Sequence, residues 1–159
     1  MPAQILLLRH AEKPDAAGDP GLSQKGQIRA AALALYLPLA FGRPDHLVAT
    51  RASNESDRPA RTLKPLSQAL GIALETSFSN DQYKDLAREL LTDPRYQRAR
   101  IVLCWHHGEI PDLAKALGVQ DGPDHWGDGV FDHIWQIDYA GKNPKLTRIH
   151  QSLLFGDDA

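Results

Sequence analysis

The chain has 159 residues, of which 42% are hydrophobic and 24% charged, with a formal net charge of −2. This is the balance of an ordinary soluble protein, long enough for one domain over residues 1–159 with its own core. Near-neutral charge excludes a whole-molecule pull on nucleic acid. No stretch suits a membrane span, and no secretory leader opens the chain, so a cytoplasmic location is expected.

The first predicted element is a buried strand over Gln4–Arg9, an apolar run that stops at Arg9-His10-Ala11-Glu12. A polar loop with Pro14, Gly18, Pro20 and Gly21 follows. Ser23 has the chemistry of an N-cap for a helix running to about Tyr36, with Ile28, Ala31, Ala32 and Leu35 on one face. Pro38 and Gly42 are expected to end that helix. His46–Thr50 reads as the second strand. Ser56 or Asp57 caps the next helix, whose core stripe is Leu63, Leu66 and Leu70, and Pro65 is expected to kink or break it. A short strand over Ile72–Glu75 and a helix over Asp81–Leu91 come next. Arg100–Trp105 is a clear buried strand holding the single cysteine, Cys104, whose apolar setting predicts an inert thiol. Pro111–Leu117 forms a helix stopped by Gly118. The chain then changes character, with strands over Val130–Tyr139 and Lys145–Leu153 joined by a turn at Gly141-Lys142-Asn143-Pro144. The fold class is therefore α/β: a three-layer α/β/α sandwich with a mostly parallel sheet and an antiparallel edge or hairpin near the C-terminus.

Chemistry concentrates at the predicted strand ends and helix starts. Arg9 offers a planar fork for anionic oxygens, and a neutral His10 can act as a nucleophile. Arg58 stands near the start of the second helix, and His106 directly follows a strand. In a parallel sheet these ends share one edge, where open α/β proteins bind ligands. The local cations Arg51, Arg58, Arg61 and Lys64 fit a site-sized positive pocket better than a polyanion groove.

Four segments in order make the chain resemble the histidine phosphatase superfamily, the phosphoglycerate-mutase-like fold. They are Arg9-His10-Ala11-Glu12, Leu22-Ser23-Gln24-Lys25-Gly26, Arg58-Pro59-Ala60-Arg61-Thr62 and His106-His107-Gly108-Glu109-Ile110. The resemblance covers residues 4 to 118 and implies that His10 is the nucleophile that becomes phosphohistidine. It also implies that Arg9, Arg58 and His106 hold the phosphoryl group. Phosphoryl transfer needs in-line positioning and positive charge around the equatorial oxygens, which two arginines and a second imidazole supply without a metal or other cofactor. The His106-His107 doublet leaves His107 as an alternative pocket member, and Ser23 is a further candidate for substrate contact.

A poor alkoxide leaving group needs a proton donor. Glu109 is the first candidate, although the helix start beside it favours its charged form, and Asp81 is the alternative, although it can also serve only as a cap. Glu12 either orients the loop or is exposed, and Trp126 either walls the pocket or packs. His46, His125, His133 and His150 are read as structural or surface residues. Neither His-Glu-x-x-His nor a compact zinc-ligand spacing occurs, so no catalytic metal is expected. The resemblance implies a phosphomonoesterase, since mutases of the family are longer, acting on a small phosphorylated substrate or a phosphorylated protein side chain. Two alternatives stand beside it: a protein phosphohistidine phosphatase, and a non-catalytic phosphoryl-ligand binder on the same fold.

Overall fold

The computed structural model describes Met1–Ala159 and gathers six strands into one sheet. These are β1 (Gln4–Arg9), β2 (His46–Ala49), β3 (Leu74–Glu75), β4 (Arg100–Trp105), β5 (His133–Asp138) and β6 (Lys145–His150), ordered β3-β2-β4-β1-β5-β6. Strands β1 to β4 run parallel, whereas β5 lies antiparallel to β1 and β6 antiparallel to β5. Residues Ile5 to Leu8 of β1 are all buried, because both faces of the sheet are covered. Ile5 and Leu7 join a core with α3 (Tyr83–Thr92) and α4 (Ile110–Ala116), while Leu6 and Leu8 meet α1 (Gln24–Phe41) and α2 (Arg58–Leu70). The architecture is thus the expected three-layer sandwich with an antiparallel edge.

Several local expectations need correction. The buried side of α1 is Gly26, Arg29, Ala30, Leu33, Ala34 and Leu37, while Ile28 and Leu35 of the predicted stripe are 52% and 71% exposed. Apolar residues surround this helix, so its sequence pattern does not single out the inner face. The helix also continues through Pro38 to Phe41. Likewise α2 contains Pro65 and runs unbroken to Leu70. An interior proline costs about 3 kcal/mol. Leu63 and Leu66, fully buried on either side of it, each contribute roughly 1.5–3 kcal/mol of burial, so packing wins. The last two strands are shorter than expected, which leaves residues 130–132 outside the sheet.

Candidate active site

The pairing of β1 with β4 sets Arg9 opposite Trp105, and the His10 amide donates to the Trp105 carbonyl at 3.2 Å. His10 and His106 therefore leave the sheet side by side, with ring centroids 5.3 Å apart and planes at 68°. The next residue, Ala11, donates its amide to Thr62 Oγ1 at 2.8 Å, and the Thr62 hydroxyl donates to the Arg58 carbonyl at 2.8 Å. This buried threonine ties the first turn of α2 to the loop after His10, which gives the four-residue spacing between Arg58 and Thr62 a physical reason. Ser56 Oγ accepts from the Arg58 amide at 3.2 Å, so Ser56, rather than Asp57, supplies the side-chain cap. Gly26 lets α1 approach the same loop, since a Cβ there would fall 2.3 Å from the Glu12 carbonyl oxygen.

Arg9, His10, Arg58, His106 and His107 all line one cavity of about 310 Å³ at the carboxyl edge of the parallel strands. A larger depression of about 540 Å³ between α1 and α2 contains Arg61 and Lys64 but none of these groups. Three candidates from the sequence lie off this wall. Asp81 is exposed and accepts from Ser79 Oγ at 2.5 Å, a bond that lowers its pKa, so it belongs to the turn before α3. Ser23 Oγ accepts from the Gly26 amide at 3.0 Å and donates to the Glu12 carbonyl at 3.2 Å, so it is spent on capping. Glu109 is not on the cavity wall either; its Oε2 accepts from Asn80 Nδ2 at 2.9 Å, and Asn80 is the residue that reaches the cavity. The only carboxylate on the wall is Glu55, in the loop after β2 where no sequence motif marks it, and Lys13 and Ser53 join it there.

The state of His10 follows from its surroundings. Its Nδ1 lies 2.7 Å from the Ala11 carbonyl, which can only accept, so Nδ1 carries the proton and Nε2 keeps a lone pair. Burial pushes the His10 pKa down to about 3, and repulsion from Arg9, from His106 once that ring is protonated, and from Arg58 adds to that depression. His106 is likewise lowered to about 4, by burial and then by Arg58. Both rings are neutral at ordinary pH. His106 Nε2 stands 3.5 Å from Thr50 Oγ1, and His107 Nε2 stands 3.0 Å from the Asp128 carboxylate.

Arg9 is 2% exposed, and burial lowers its pKa to about 10, which still leaves it charged. Its Nη1 donates to the carbonyls of Asp128 at 2.5 Å and Val130 at 3.1 Å, with Gly127 at 3.5 Å, and its guanidinium lies 3.9 Å above the Phe131 ring. Trp126 supports this cradle: it is buried, packs on Trp135 and donates to the Val130 carbonyl at 2.9 Å, so it packs rather than walls the pocket. Glu12 accepts from Arg29, which also grips Asp157 and Gln151. Burial disfavours the Arg29 charge, but the bonds to Asp157 and Glu12 outweigh it and hold its pKa above the usual range. The Arg9 cradle and the Arg29 network escaped the sequence analysis, because backbone carbonyls and a partner at the far end of the chain leave no motif.

The sequence matches no protein-family model and no curated protein. Solved structures do match. A protein histidine phosphatase SixA complexed with tungstate aligns with a TM-score of 0.68 and 14% identity, over 93% of this chain and 97% of that one. A mycobacterial glucosyl-3-phosphoglycerate phosphatase bound to VO3 aligns with a TM-score of 0.68 and 16% identity, over 94% and 100%. An Escherichia coli structure described as an alpha-ribazole-5'-P phosphatase aligns with a TM-score of 0.65 and 14% identity, over 92% and 95%. The chain therefore has the phosphoglycerate-mutase-like fold of the histidine phosphatases.

Proposed function

We propose that this protein is a metal-independent phosphatase that works through a phosphohistidine on His10. The observation that carries the reading is a free Nε2 lone pair on a neutral ring beside two guanidinium groups with unspent donors. Nε of Arg9 and Nε of Arg58 are buried without a hydrogen-bond partner, although both residues line the cavity. Buried donors left alone are costly, and an oxyanion in the cavity supplies the missing acceptors. In this reading Nε2 attacks phosphorus in line and the bond to the leaving oxygen breaks, while Arg9, Arg58 and His106 hold the three remaining oxygens. Glu55, the carboxyl on the cavity wall, protonates the leaving oxygen. Water then displaces the imidazole, gives its proton to the same carboxylate, and phosphate departs. The fold match to phosphatases, among them proteins solved with tungstate and VO3, supports this reading.

A phosphorylated histidine of another protein is a second fitting substrate. Its imidazole leaving group needs less help from an acid, and here the acid is on an exposed loop rather than buried. The test is turnover of a substrate panel by wild type and His10→Ala. The panel holds alkyl phosphates, an aryl phosphate and phosphohistidine. The expected outcome is loss of at least about 10⁴-fold in kcat for every substrate, with an unchanged circular dichroism spectrum. Acid-labile, alkali-stable labelling of the protein should vanish with it. Retained hydrolysis by His10→Ala would reject His10 as the nucleophile, and the ratio of phosphohistidine to ester turnover ranks the two substrate classes.

A further inference from the structure

We propose that Asp132, His133, His150 and Asp158 form a binding site for a divalent transition-metal ion, zinc above all, that clips the C-terminal segment to the β5–β6 hairpin. His133 opens β5 and His150 closes β6, and the antiparallel register makes them direct partners on one face of the sheet. Their ring centroids are 4.6 Å apart. Sequence spacing hides the pair, because the whole hairpin lies between the two residues.

Two carboxylates complete the set. Asp132 precedes β5, and the chain beyond β6 folds back so that the Asp158 amide donates to Asp132 Oδ2 at 2.7 Å. One ligand atom from each of the four residues lies within 4.8 Å of all the others. His133 Nε2 is 3.7 Å from Asp132 Oδ1 and 3.8 Å from Asp158 Oδ2. Those separations are too long for hydrogen bonds. They lie just above the edge of a tetrahedron with metal bonds of about 2.0–2.1 Å, which is roughly 3.3 Å.

An independent observation points the same way. Nε2 of His133 is buried and has no hydrogen-bond partner, although two carboxylates stand close by. A bound cation satisfies that nitrogen and both carboxylates together. Two carboxylates neutralise a divalent charge, and two imidazoles select zinc-like ions over calcium or magnesium, which prefer oxygen. The amide of Asp158 already orients the Asp132 carboxylate, as outer-shell donors do in metal centres.

The position gives the ion a structural role. Asp132 follows Val130 and Phe131, which hold Arg9, and Asp158 follows Asp157, which grips Arg29. None of the four residues lines the cavity containing His10, so the clip is independent of the phosphoryl chemistry.

The test is zinc titration of the untagged, chelator-stripped protein by calorimetry, with cobalt absorption reporting coordination. Wild type is expected to bind one zinc per chain and to show the intense bands of tetrahedral cobalt. His150→Ala should weaken binding by more than about tenfold, and the double variant His150→Ala/Asp158→Asn should abolish it. His150 and Asp158 are exposed, so circular dichroism of both variants in zinc-free buffer should match wild type. His107→Ala, which removes an imidazole from the other cavity, should bind zinc like wild type. Absence of binding by wild type, binding that survives the double substitution, or binding lost in His107→Ala overturns the proposal.

Discussion

The two sides of the sheet contribute to the candidate site in different currencies of structure. On the parallel side, β1 and β4 deliver His10 and His106 by register alone, and α2 delivers Arg58 at its first turn. Each contribution is a side chain at the end of an element. On the antiparallel side, the segment before β5 contributes backbone carbonyls that hold Arg9, and the tail after β6 contributes Asp157, which holds Arg29. One side supplies the groups that would meet a phosphoryl oxygen in the proposed mechanism, and the other fixes the loop and the guanidinium on which they depend. Chemistry and support are therefore separable by substitution.

Arg29→Met should be the largest test of the supporting side. Arg29 is 2% exposed and pairs with Glu12 and Asp157 at 2.7 Å each. Removing it leaves two carboxylates without their cation, which costs about 3–5 kcal/mol. Urea unfolding should show that loss, and activity of the remaining folded protein should fall far less. Arg58→Ala is the opposite case. Its side chain is half-buried and donates only to the Asp19 carbonyl at 3.2 Å, so stability should change little. Loss of its charge from the cavity should, in the proposed mechanism, lower kcat/KM by about 10²–10³-fold. If Arg58→Ala unfolds the protein, or Arg29→Met leaves stability intact, the division between the two sides is wrong.

The same division explains what the sequence made legible. Strands β1 and β4 read clearly because apolar runs buried on both faces admit few other interpretations, and the reactive residues at their ends follow at once. Thr62 stands at a fixed step from Arg58, so that segment also carries its own signal. The inner face of α1 did not, since Ile28, Leu35 and Leu39 are exposed while Arg29 is buried. Burial of Arg29 depends on Glu12 and on Asp157 at the far end of the chain, and no local pattern encodes such a pairing. The prolines at positions 38 and 65 misled for a related reason: local propensity argues for a break, and tertiary packing of leucines overrides it. The carbonyl cradle of Arg9 is invisible in principle to residue-type reasoning, because any residue offers a carbonyl. Glu55 carries no sequence signal, because its loop has no periodicity and only the fold brings it to the cavity.

The buried imidazoles on the chemical side also carry a stability signature. His10 is neutral in the native protein down to about pH 3, whereas in the unfolded chain it takes up a proton below about pH 6.5. Between those limits the unfolded state binds more protons, so stability falls as the pH falls. For this one group the loss is about 2 kcal/mol on going from pH 7 to pH 5, because the slope reaches its full value of about 1.36 kcal/mol per unit only below pH 6.5. His106 acts in the same sense, weakened by its partial exposure. The depressed Asp157 carboxyl adds its own loss only below about pH 4, as the unfolded carboxylate begins to protonate. Urea unfolding at pH 7 and pH 5 should show the decline, and His10→Ala should flatten it. An unchanged slope in that variant means that the ring titrates normally in the native state.

The smallest expected effect bears on which carboxyl assists the leaving group. Glu55 lines the cavity from an exposed loop, while Glu109 is turned to Asn80 and Asp81 to Ser79. An acid open to solvent is partly replaceable by water, so Glu55→Gln should lower kcat for an alkyl phosphate by only about tenfold, below the usual range for general acids. The leaving group then decides the pattern. An aryl oxide departs readily without a proton and an imidazole needs little help, so turnover of aryl phosphate and phosphohistidine should stay within about threefold of wild type. Glu109→Gln keeps its polar contact with Asn80 and should match wild type on all three substrates. Equal losses on alkyl and aryl esters in Glu55→Gln would mark Glu55 as a binding group. A selective alkyl loss in Glu109→Gln instead would move the proton donor to the start of α4, where the contact through Asn80 already brings it within one side chain of the cavity.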